Sequence, residues 1–137
     1  MRGCVRILDR IDVYVDVPRV ELDKLGAPAM GERSAEVRER VSSARARQAC
    51  RFRDTALVTN AEMGPAEIKR HCALDQSGQE LLRQATAQLN LSARGYHRVL
   101  KLARTIADLA ERESIELPHL AEALQYRPRG HLAGQQD

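Results

Sequence analysis

Between Ser92 and Arg112 the residues Val99, Leu102, Ala103, Ile106 and Ala110 recur at steps of three and four. That spacing puts them on one face of a helix turning about 100° per residue, with Arg94, Arg98 and Lys101 on the opposite face. A helix with one apolar stripe is marginal alone in water, so this feature commits the chain to a fold in which other helices cover the stripe. Ser92 stands where an N-cap is needed, its hydroxyl able to accept from the first free backbone N–H groups.

The rest of the chain supplies the covering helices. Ser34 is read as an N-cap with Glu36 in the first turn, where negative charge suits the helix dipole, and Val37, Val41, Ala44 and Phe52 follow at helical spacing. The spacing predicts a helix of about five turns with a narrow apolar stripe. A short helix opens at Pro65, a residue favoured at the first helical position, and runs toward Cys72. A third starts near Ser77 and carries Leu81, Leu82, Ala85 and Leu89. Pro118 opens a last helix with Leu120, Ala121 and Leu124 inward, before Pro128 and a polar tail from Gly130 to Asp137. Aromatics are 3% of the 137 residues, with no Trp and one Phe, so the single core this length supports is built from Leu, Val, Ile and Ala. That composition argues against an all-β sandwich or barrel.

One segment breaks the helical pattern. Ile11, Val13, Val15 and Val17 alternate with Asp12, Tyr14 and Asp16 up to Pro18, the period of a β-strand, and no second segment repeats it. A lone strand leaves its backbone groups unpaired. The expected fold is therefore mostly α, a helical bundle of four to five helices preceded by one orphan β-strand. Residues up to about Pro18 are expected to be poorly ordered or docked on the helices.

Chemical signatures are sparse. No G-x-x-x-x-G-K-[ST] loop, no G-x-G-x-x-G and no apolar run ending in paired acidic residues occurs, so no phosphate cradle or magnesium-holding strand is recognisable. The chain alone, lacking Walker A and Walker B motifs, is expected not to be an enzyme. His71, His97, His119 and His131 are scattered and assign no nucleophilic or metal site. Cys4, Cys50 and Cys72, an odd and widely spaced set without a C-x-x-C pair, read as free thiols of a reducing compartment. Apolar stretches are far shorter than the roughly 20 residues that span a bilayer, and no signal segment opens the chain, so a cytoplasmic location without a membrane partner is expected. Lys and Arg number 22 against 19 Asp and Glu, a net charge of +3 that permits a nucleic-acid partner without requiring one.

Three segments carry a resemblance. Leu8-Asp9-Arg10-Ile11-Asp12 resembles the LLDRID segment of the AAA+ ATPases related to magnesium chelatase, and GERSAEVRERVSSARARQACRF resembles that family's first helix after the core. The run from Leu91 to Arg127, LSARGYHRVLKLARTIADLAERESIELPHLAEALQYR, is similar to its C-terminal lid in the ComM/YifB-type competence branch. The resemblance divides the chain into a core remnant at 1–20, a linker at 21–33, the helical lid at 34–127 and a tail at 128–137. The family's Gly-Pro before the LDR segment is replaced here by Val5 and Arg6, and its nucleotide-binding core is missing from these residues. A naturally truncated frame, an excised domain and a separately encoded core all fit that pattern.

The resemblance implies roles for particular residues. Arg10 corresponds to the arginine finger, which reaches across to the nucleotide of a neighbouring ring subunit, and Asp9 beside it would orient the guanidinium or face the neighbouring subunit. Such fingers are worth about 10³ to 10⁵ in rate through the charge they place on the transferring phosphoryl oxygens. Arg94 corresponds to the sensor 2 arginine, which contacts the nucleotide from the lid of its own subunit. ATP and Mg²⁺ are implied by the family alone, with no tight binding to this chain by itself and no metal site. The partners implied are ring subunits of the same family, with DNA as a further one. A different reading makes the chain a free-standing helical module that binds DNA or ATPase subunits without catalysis. On that view Arg38, Arg40, Arg45, Arg47, Arg51 and Arg53 join Arg94, Arg98 and Lys101 as a phosphate-contacting surface, although Glu36 and Glu39 are interleaved and Glu36 is spaced for an i,i+4 pair with Arg40.

Overall fold

A computed structural model describes residues 11–18 and 31–127. Among these, five α-helices follow one another: α1 Ser34–Phe52, α2 Pro65–His71, α3 Gln76–Leu89, α4 Ala93–Leu109 and α5 Leu117–Gln125, with a 3₁₀ turn at Asn60–Glu62 between α1 and α2. The helix starts are written in side chains. Ser92 Oγ accepts the Gly95 N–H at 3.0 Å to begin α4, and Asp75 Oδ1 accepts the Gly78 N–H at 2.7 Å to begin α3. A Cβ at Gly78 would lie 3.1 Å from that capping oxygen and 3.3 Å from Leu74 Cβ, a tight fit that glycine avoids. Pro65 and Pro118 sit in the first turns of α2 and α5, where a missing N–H costs nothing. Glu67 accepts the Gly64 N–H at 2.9 Å, and His119 Nδ1 accepts the Glu116 N–H at 3.0 Å.

Helix α4 is the axis of the bundle. It packs against α5, α1, the 3₁₀ turn and α2, while α3 closes against α5. Its Val99, Ala103 and Ala107 are completely buried among Phe52, Met63, Ile68, Leu82, Ile115 and Leu120. Small residues at 103 and 107 let the neighbouring helices approach closely, and dispersion contacts in such a core are felt methylene by methylene.

Several expectations need correction. The orphan strand Ile11–Val17 is not a strand: residues 11–18 run without regular structure and pair with no strand among the described residues. With no neighbour among the described residues to form a ladder, the segment takes the other course and docks, Tyr14 donating its N–H to the Tyr126 carbonyl at 3.0 Å beyond α5. Arg33, not Ser34, holds the cap position of α1; α3 begins at Gln76, behind Asp75 and near Ser77 as expected. Helix α4 stops at Leu109 instead of Arg112, because Glu111 takes a left-handed conformation (φ 58°), which turns the chain and leaves Ala110 exposed. The apolar stripe of α1 outruns the bundle as well: Val37 and Val41 are exposed, and burial begins at Ala44 and continues at Gln48 and Phe52. The segments 1–10, 19–30 and 128–137, which hold most of the core remnant, most of the linker and the tail, lie outside the described residues.

Candidate functional site

The first turn of α4 opens onto a groove of about 630 Å³ walled on the other side by α2 and the residues before it. Met63, Pro65 and Ile68 form the apolar wall, and Arg94, His97, Arg98 and Lys101 form the basic one. The α4 residues recur at steps of three, one and three, so a single helical face presents all four. Arg94 is exposed in the first turn, behind the Ser92 cap, where the free backbone N–H groups and the positive end of the dipole add to its charge. It makes no ion pair among the described residues.

The other cations of this face are not simply solvated. Lys101 Nζ donates to the Ala61 carbonyl at 2.8 Å and ties α4 to the 3₁₀ turn. Arg98 Nη1 meets Asp12 Oδ1 at 2.6 Å and holds the N-terminal segment. His97, set aside in the sequence as one of four scattered histidines, shares the groove with Arg94. Its spacing of three from Arg94 and four from Lys101 was the signal that places it there.

Deeper along α4 lies a charged cluster the sequence did not announce. Asp108 is fully buried and accepts from Arg51 Nη1 and Nη2 at 2.8 and 2.5 Å and from Asn60 Nδ2 at 2.8 Å, and it forms an ion pair with Arg104 Nη2 at 3.1 Å. Burial alone would raise the carboxyl pKa, but the hydrogen bonds from Arg51 and Asn60 and the two guanidinium charges hold it below the usual carboxylate range. Burial pulls the Arg104 pKa down from its usual value, opposed by Asp108. Arg104 also donates to the carbonyls of Glu113 and Arg112, each at 2.6 Å, closing the turn after α4. This cluster joins α1, the 3₁₀ turn and α4, and with Lys101 it sets the position of the groove's apolar wall. It is a structural joint, not a reaction centre.

The α1 arginines are largely committed too. Arg51 is in the interior cluster, Arg45 donates to Gln48 and to the Val58 carbonyl, and Arg53 lies 3.5 Å from Asp54. Arg40 pairs through both nitrogens with Glu32, at 2.6 and 2.9 Å, and not with Glu36 as its spacing suggested. Arg10 and Asp9 fall outside the described residues. Among those described, no three His, Cys, Asp or Glu side chains gather to hold a metal ion, and no helix is long and apolar enough to cross a membrane.

The family model described as magnesium chelatase, subunit ChlI C-terminal, matches residues 31–127, which is the whole bundle from the residues before α1 to the end of the described chain. The chain belongs to this family. The competence protein ComM of Haemophilus influenzae is 44% identical over 121 residues, covering 88% of this chain and 23% of that protein. The uncharacterized protein YifB of Escherichia coli (strain K12) is 38% identical over 123 residues, with the same two coverages, and the uncharacterized protein Mb2921c of Mycobacterium bovis is 36% identical over 124 residues. The chain thus spans 23–24% of the length of these relatives. It is a C-terminal domain of the magnesium-chelatase-like, ComM-related kind, and the groove at the start of α4 lies wholly within the matched region.

Proposed function

We propose that this domain serves as the lid of a ComM-type AAA+ ATPase. In this role Arg94 contacts the phosphates of ATP as sensor 2, and Arg10, oriented by Asp9, acts as the arginine finger toward a neighbouring subunit of a ring that remodels DNA. One observation carries the proposal: an exposed guanidinium on the first turn of a capped helix, in a groove whose basic wall also holds His97, Arg98 and Lys101. Charge-assisted hydrogen bonds to phosphate oxygens need placed, unspent donors, and Arg94 is one. The apolar wall of Met63, Pro65 and Ile68 suits the uncharged part of a nucleotide. In this reading the chain, which carries no Walker A or Walker B motif, supplies phosphate contacts, and the groups that hold Mg²⁺ belong to the rest of the ATPase.

The test is titration of the chain into full-length subunits of a related ATPase while following ATP turnover, with the wild type compared against Arg10→Ala and Arg94→Ala. A change in turnover that Arg10→Ala removes supports the finger, and one that Arg94→Ala removes supports sensor 2. Turnover unmoved by wild type at saturating chain refutes both roles.

A further inference from the structure

Residues 11–18 lie on the bundle with most of their apolar side chains in solvent and Tyr14 half-buried. Ile11, Val13, Val15 and Val17 remain exposed, by 39%, 45%, 64% and 84%. Polar contacts hold the segment: Asp12 to Arg98 at 2.6 Å, the Ile11 carbonyl to Arg127 Nη1 at 3.0 Å, and the Tyr14 N–H to the Tyr126 carbonyl at 3.0 Å are among them. A segment held this way is governed by the charge balance at its contacts rather than by burial. Arg98 is the one of these partners that also faces the groove. It lines both the groove of Arg94, His97 and Lys101 and the adjoining cavity of about 200 Å³ that contains Asp12, so its guanidinium stands between a carboxylate on one side and the phosphate-binding face on the other.

We infer that Asp12 is an internal stand-in for phosphate at Arg98, and that filling the groove with a polyphosphate and releasing residues 11–14 from the bundle are a single linked equilibrium. The inference rests on the groove's being a phosphate site, as proposed above, and adds its regulation. The Asp12 carboxylate offers one negative charge from a side chain that is 60% exposed. A polyphosphate offers several charges and more acceptor oxygens within reach of Arg94 and Lys101 at the same time, so it outcompetes the carboxylate for Arg98. Linkage then runs both ways: what the phosphate does to the segment, the segment does to phosphate affinity.

The experiment uses the full chain, inorganic pyrophosphate as the probe and NMR as the readout, with ionic strength held constant by NaCl. Amide shifts of Gly95 and Tyr96 report occupancy of the groove, and hydrogen exchange at the Tyr14 amide reports docking of the segment. In the wild type, pyrophosphate shifts the α4 amides and accelerates Tyr14 exchange. In Asp12→Asn, Tyr14 exchange is fast from the outset and insensitive to pyrophosphate, and pyrophosphate binds about twofold to fivefold more tightly, the span of an exposed ion pair. Occupied α4 amides with unchanged Tyr14 exchange overturn the linkage while leaving the phosphate site standing, as does unchanged affinity in Asp12→Asn. Absence of any α4 shift up to high pyrophosphate overturns the phosphate site, and the linkage with it.

Discussion

Replacing Asp108 by Ala removes the one carboxylate that compensates two guanidiniums in the interior. Asp108 is completely buried, Arg104 is 2% exposed and the Arg51 side chain 14%. The carboxylate accepts hydrogen bonds from Arg51 and Asn60 and faces Arg104 in an ion pair. Deleting one partner of a buried pair costs about 3–5 kcal/mol, because the cations stay desolvated without their counter-charge. A domain of this size is stable by about 5–15 kcal/mol, so this single change removes a large share of the total. Urea unfolding followed by circular dichroism at 222 nm should show a much lower midpoint with an unchanged slope. The control is Glu80→Ala, which breaks the exposed pair with Arg83 and should cost under about 1 kcal/mol. A loss for Asp108→Ala no larger than the control's would refute the argument that this cluster holds the bundle together. The cluster also has a pH signature. Since folding lowers the Asp108 pKa, its contribution is complete above the unfolded carboxyl value of about 3.9 and is lost as pH falls through the lower folded value. Asp108→Asn should flatten that acid limb of the stability curve, and an acid limb of unchanged steepness would count against the assignment.

Two further expectations follow from the core. Leu82, 1% exposed in α3, should lose about 2–5 kcal/mol on replacement by Ala, read as a shift in thermal midpoint, whereas a loss below about 1 kcal/mol would mean the site collapses around the change. Burial pushes the Cys72 thiol up to about 11, so in a Cys4→Ser background iodoacetamide at pH 8 should alkylate the exposed Cys50 and spare Cys72 until the domain unfolds, an order that mass spectrometry of partially labelled protein would reverse if the packing were wrong.

The helices were legible because their signals are local. Ser92, Pro65 and Pro118 mark three starts through backbone geometry that depends only on nearby residues, and Leu82, Ala85, Val99, Ala103, Ile106 and Leu120 follow one-helix periodicity. What failed was whatever depends on partners distant in the chain. The alternation from Ile11 to Val17 describes a strand only if another strand is present, and without one the same residues dock through Tyr14, Asp12 and the Ile11 carbonyl. Val37 and Val41 carry the same stripe as Ala44 and Phe52, but the stripe does not say where the bundle ends. Arg51 and Asp108 are 57 positions apart, so no window of sequence shows their pairing. The i,i+4 spacing of Arg104 and Asp108 was visible, yet it reads equally as a surface pair.

The basic residues of α4 show most directly why composition could not separate the functional readings. Arg94, Arg98, Lys101 and Arg104 contribute identical charges to the total, and a helix carrying them at this spacing looks uniformly cationic. In the fold they are graded by depth: Arg94 is exposed at the first turn, Arg98 and Lys101 are half-buried and tied to Asp12 and Ala61, and Arg104 is buried against Asp108 and the carbonyls after α4. The gradient follows from what each side chain meets: Arg94 faces the open groove beside α2, whereas Arg104 is enclosed with Asp108 and the carbonyls of Arg112 and Glu113. A cation enclosed with its counter-charge is closed to a ligand by burial, whereas a cation exposed at a helix start can turn its donors to one. Affinity for phosphate should therefore fall with Arg94→Ala while the fold stands, and with Arg104→Ala the fold itself should fail first.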